Sequence, residues 1–139
     1  MRAEDPIQTE ARVLCVGVGC TRGAPPEDVA VAAAAILAAA GLRLEAVGRV
    51  ATAGRKQDEP ALRQWAASLG AGFVSFDDAV LTAQPVATRS ARVHQAVGLF
   101  SVAEAAALAA AGTTELLLTR RTAALPGGHH LTLAVACQG

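Results

Sequence analysis

The chain has 139 residues, 53% of them apolar but only 3% aromatic, with 12 basic residues against 12 acidic ones. That length supports one domain with its own core, built from Ala, Val and Leu rather than from rings. A formal net charge of zero offers no overall field for nucleic acid or an anionic membrane, and no apolar run approaches the roughly 20 residues of a membrane span.

The opening stretch Met1–Glu10 carries Glu4, Asp5 and Glu10. It does not read as a signal peptide and is expected as a loose tail ahead of a domain over residues 11–139. Arg12–Val18 is nearly all apolar, the pattern of a central strand buried on both faces. It leads into Val16-Gly17-Val18-Gly19-Cys20-Thr21-Arg22-Gly23, read as a glycine-rich loop that opens a helix. Glycines let a backbone turn tightly and let a ligand approach. The next helix's first-turn amides favour an anion, and Arg22 adds a guanidinium suited to carboxylate or phosphate. The loop is not a nucleotide signature: Gly23 falls one place late for G-x-G-x-x-G, and no Gly-Lys-Ser/Thr follows.

Pro26–Ala40 has helical periodicity, with Gly41 as its stop. Leu44–Ala51 reads as a second strand, with Leu44, Ala46, Gly48 and Val50 on one face. Thr52–Pro60 is a polar connection holding Lys56, the single lysine among twelve basic residues. An ammonium is a compact charge whose pKa shifts readily. Leu62, Trp65, Ala66 and Leu69 give a second helix an apolar stripe, ended by Gly70 and capped by Asp58 or Glu59. Lys56 and Glu59 lie three apart at its mouth, as a weak surface pair or as an ammonium and a carboxylate facing the first loop.

Gly72–Phe76 is a short third strand, and Asp77 or Asp78 caps a short helix through Val80 and Leu81. Thr82–Ser90 reads as a linker and Arg92–Val97 as a helical turn carrying His94. Ser101 and Glu104 match the S-x-x-E capping box before an alanine-rich helix that Gly112 ends. Thr113–Arg121 and Leu131–Cys137 form a hairpin around Leu125–His130. Strands and helices alternate and a hairpin closes the chain, so the fold class is α/β: a single three-layer α/β/α domain with a mixed sheet of about five strands. Ligands in such sheets bind beyond the carboxyl ends of the parallel strands, where the loops after strands one and two would open.

The metal reading is weak: Cys15 sits in a buried strand, Cys137 lies far along the chain, and adjacent His129 and His130 on a turn point apart. No metal and no cofactor is expected. An odd number of cysteines fits a reducing cytoplasm. Cys20 at a helix mouth is either a reactive thiol or a packing residue.

Taken in order, Val16–Gly23, Arg55-Lys56-Gln57-Asp58-Glu59-Pro60, Val97-Gly98 through Ser101-Val102-Ala103-Glu104-Ala105-Ala106-Ala107-Leu108, and Leu131–Ala136 resemble one family. It is the cobalamin-biosynthesis family of CobE and the C-terminal domain of CbiG, the cobalt-precorrin-5A hydrolase. The resemblance runs from Arg12 to Cys137 and implies a role in building the corrin ring. The implied partners are a corrin or precorrin intermediate, other cobalamin-biosynthesis enzymes and, at most, further copies of the chain. Ligand-binding residues are expected at Gly19, Cys20, Thr21, Arg22, Lys56, Glu59, Ser101 and Glu104. Lys56, Glu59 and Glu104 are the candidates for catalysis in a reading where a precorrin lactone is hydrolysed. A small anion-binding regulatory or interaction module is the reading that does without the resemblance. Where the family often has a lysine near the C-terminus, this chain has Arg120 or Arg121.

Overall fold

The computed structural model describes residues 13–54, 58–85 and 102–138. The expectations at the N-terminal tail, Arg55, Lys56, the 86–90 linker, His94 and Ser101 lie outside the described residues. The strands are β1 (Leu14–Cys20), β2 (Val47–Ala53), β3 (Gly72–Phe76), β4 (Leu118–Ala124) and β5 (His130–Cys137). The helices are α1 (Pro26–Ala39), α2 (Pro60–Leu69), α3 (Asp78–Thr82) and α4 (Val102–Ala111). The sheet order is β3-β2-β1-β5-β4. β1, β2 and β3 run parallel, while β5 is antiparallel to both β1 and β4. The mixed five-stranded sheet and its closing hairpin are as the sequence leads one to expect.

Pleating divides β1 between two cores. Leu14, Val16, Val18 and Cys20 face α1 and α2, meeting Val29, Ala33, Leu37, Leu62 and Trp65. Cys15 faces the opposite way, with Ala51, Ala53, Leu81 and the alanines of α4. The middle strand is therefore covered on both sides, which is why its sequence is apolar without alternation. Burial pushes the Cys15 thiol up from its ordinary pKa, with Arg49 opposing the shift and Cys137 adding to it; such a thiol is held in its unreactive form.

The alanines of α4 let its backbone come very close to the sheet. A Cβ built on Gly17 would lie 1.8 Å from the Ala103 carbonyl oxygen and 2.7 Å from the Ala107 nitrogen. Gly17, inside the expected strand, is thus the residue that gives α4 its seat. Arg49, on β2, donates from Nη1 to the Ala110 carbonyl at 3.0 Å and so caps the carboxyl end of α4.

Several boundaries depart from the expectation. β1 continues to Cys20, because Gly19 and Cys20 still pair with Thr132 and Leu131. Leu44–Ala46 is a turn of 3-10 helix, and β2 begins only at Val47. A register irregularity sets Leu14 against Val47 but Cys15 against Arg49. Leu44, Ala46 and Val50 pack on the α1/α2 core together, as their expected common face requires, but Val47, expected on the opposite face, joins them there. β4 starts at Leu118 rather than Thr113, since Gly112 and Thr113 bond back to Leu108 and finish α4. Asp77 caps α3, accepting the Val80 N–H at 3.0 Å.

Candidate functional site

β1 and β2 run parallel, so their carboxyl ends share an edge, and antiparallel β5 begins there. A cavity of about 300 Å³ opens at this edge, lined by Gly19, Cys20, Thr21, Thr52, Ala53, Val102, His130 and Thr132. Val102 is the first residue of α4, so that helix starts beside the cavity.

Gly19 is the informative position. Its φ is not in the left-handed region, and a Cβ added there would meet none of the described residues within 4 Å. Neither backbone conformation nor packing among the described residues calls for glycine here, in contrast to Gly17. A side chain would instead project into the cavity space that Gly19 lines.

The walls are fixed by hydrogen bonds. Thr21 donates its N–H to the His130 carbonyl at 3.0 Å, and its Oγ1 accepts the His130 N–H at 2.9 Å. This double tie pins the loop after β1 to the start of β5. Buried Thr52 donates from Oγ1 to the Val18 carbonyl at 2.7 Å, locking β2 to β1 just below the edge.

Glu59 joins the loops after β1 and β2. It is 7% exposed, and its Oε2 accepts the Gly23 N–H at 3.1 Å. The two loops expected at one edge therefore do meet, through this carboxylate. Glu59 occupies the N-cap position of α2 yet makes no side-chain cap bond, which corrects the expectation that it caps that helix with its own carboxylate. Asp58 instead lies 3.7 Å from Arg63, both largely exposed.

The amides of the first loop are mostly spent inside the protein. Thr21 and Gly23 donate as described, and Ala24 N–H bonds the Thr21 carbonyl at 3.1 Å. α1 opens with Pro25 and Pro26, which have no N–H, followed by Glu27 and Asp28. α2 opens with Pro60 behind Glu59. Neither helix start is a good anion cradle. The expected anion-friendly loop thus offers little more than the exposed Arg22 on its turn. α4, beginning with Val102 at the cavity, carries no proline.

Glu104 lies on the first turn of α4 and is fully buried. Its Oε2 accepts the Arg120 N–H at 2.8 Å. β4 has one extra residue between Leu118 and Arg121, and this irregularity turns the Arg120 N–H out of the ladder towards Glu104. Of the residues expected to bind ligand, Gly19, Cys20 and Thr21 line the cavity, Arg22 stands on the adjoining turn, and Glu59 and Glu104 are bound to backbone N–H groups. Lys56 and Ser101 lie outside the described residues.

His130, Thr132 and Thr52 line the cavity although none of them was among the expected ligand-binding residues. A usable signal existed for the first two: a strand pairing antiparallel with β1 must begin where β1 ends.

The family model for the cobalamin synthesis G C-terminus matches residues 14–136. Protein CobE of Sinorhizobium sp is 34% identical over 122 residues, covering 82% of this chain and 79% of the relative. A crystal structure of CobE, described as a protein from the cobalamin (vitamin B12) biosynthetic pathway, superposes with a TM-score of 0.71 at 32% identity, over 88% of this chain and 93% of that one. Cobalt-precorrin-5A hydrolase of Priestia megaterium is 26% identical over 118 residues, which cover 85% of this chain but only 32% of the hydrolase. The chain thus spans about a third of that enzyme. The match to the family model across the whole sheet, together with a relative of similar length above 30% identity, places the chain in the cobalamin synthesis G C-terminus family of cobalamin-biosynthesis proteins.

Proposed function

We propose that the chain binds a corrin or precorrin intermediate at the carboxyl edge of its parallel strands. The observation that carries this is Gly19, which lines the cavity without being required by the fold. Ligands of open α/β sheets bind at this edge, and a glycine kept without a structural reason leaves room for one. Arg22 on the adjoining turn suits the carboxylates that fringe such a ring.

Binding without hydrolysis is the better-supported form of this reading. The buried carboxylates that could act as a base, Glu59 and Glu104, each already accept a backbone N–H. In these places they hold loop and helix. A ligand that leaves unchanged is passed on, so the chain would hand its intermediate to another enzyme of the cytoplasmic pathway.

An absorbance titration with hydrogenobyrinic acid tests this, using wild type, Arg22→Ala and Lys56→Ala. Saturable binding by wild type, weakened about tenfold by each change, is the expected result; one charge-assisted contact is worth about 1.5–3 kcal/mol. No spectral change with folded wild-type protein would refute it.

A further inference from the structure

We infer, resting on the binding reading above, that the edge cavity takes one carboxylate arm of the macrocycle, held by His130 and Thr132, while the ring stays outside. The first argument is size. The cavity holds about 300 Å³, the lower limit for a drug-sized ligand. A corrin with its acetate and propionate arms is far larger, whereas a single arm fits.

The second argument is the lining. Thr132 pairs with Gly19 across β1 and β5, so both lie on the α4 side of the sheet. Leu131 and Leu133 face the α1/α2 core. By strand alternation His130 therefore shares the face of Thr132. Its backbone N–H and carbonyl are both taken by Thr21. The root of the imidazole is thus fixed, and the ring remains exposed to serve as a donor. Thr132 adds a hydroxyl. None of the described residues lining the cavity is acidic.

The third argument is direction. α1 and α2 begin with proline, but α4 begins at the cavity without proline, and the acid of its first turn, Glu104, is turned to the Arg120 N–H. Its amides add to the donors already in the lining. The described lining thus offers hydroxyl, imidazole and amide donors and no carboxylate, which suits an anionic arm better than a neutral one.

The test compares hydrogenobyrinic acid with the same macrocycle converted to its primary amides, titrated against wild type, His130→Ala and Thr132→Val. His130 is exposed and Thr132 is replaced by a β-branched isostere, so folding is preserved and is checked by circular dichroism. Wild type should bind the acid at least tenfold more tightly than the amide. His130→Ala should remove most of that preference by weakening the acid alone, and Thr132→Val should remove part of it. Equal affinity of wild type for acid and amide would overturn the arm assignment and leave the binding reading standing. So would a His130→Ala variant weakened equally for both. Binding of neither macrocycle would overturn both readings.

Discussion

Gly17→Ala is expected to lower Tm by 10 °C or more, or to prevent folding altogether. The added Cβ would sit 1.8 Å from the Ala103 carbonyl oxygen and 2.7 Å from the Ala107 nitrogen. These are backbone atoms of a helix, so no rotamer change relieves the clash. α4 must lift off β1 or β1 must bend. α4 packs on β1, β2 and β5, and its alanines are a large part of that core. Overpacking a core costs about 1–3 kcal/mol when side chains can yield; here the cost is expected at or above the top of that range. One kcal/mol shifts Tm by about 2–5 °C for a domain of this size. Gly19→Ala, two residues along the same strand, is the control and should change Tm by less than about 2 °C, since no described residue lies within 4 Å of its Cβ. Thermal unfolding of the two variants reads the contrast directly. A Gly17→Ala protein as stable as wild type would mean that α4 is not seated on β1 as described.

The second large effect is expected at Glu104. Its side chain is fully buried and accepts the Arg120 N–H where β4 bulges. Glu104→Ala leaves that amide without its acceptor and opens a void beside it. Orphaning a buried donor costs about 1–3 kcal/mol, and the void left by the lost side chain adds to it. A loss of about 2–4 kcal/mol is expected in urea unfolding, with little change in m. Glu104→Gln keeps an acceptor oxygen and should lose less than half as much. Were Glu104→Ala to unfold at the wild-type midpoint, the carboxylate would not be what ties α4 to β4.

The contrast between Gly17 and Gly19 shows where reading the sequence stops. Both glycines stood out in one glycine-rich stretch, Gly17 at the end of the expected strand and Gly19 in the loop after it. Only the placement of α4 separates a glycine needed for helix approach from one that lines a cavity. The central strand, the alternation of strands and helices, and the final hairpin were legible because burial on two faces and helical periodicity are local patterns. The side that Val47 takes was not, because a register irregularity against β1 is set by the neighbouring strand. Glu59 was visible as a carboxylate at a helix start, where local rules make it a cap. Its actual partner, Gly23, is 36 residues away. His130 looked like half of a solvent-facing pair on a turn. Its position follows from pairing β5 with β1, a contact spanning most of the chain.

Gly19→Val is the most direct probe of the claim that this edge binds the corrin intermediate. The substitution fills the cavity floor with a residue that suits a strand, so Tm should stay within about 2 °C of wild type. In parallel absorbance titrations with hydrogenobyrinic acid, binding should fall at least tenfold relative to wild type. Unchanged affinity in a folded Gly19→Val protein would place the ligand somewhere other than the carboxyl edge and contradict the account.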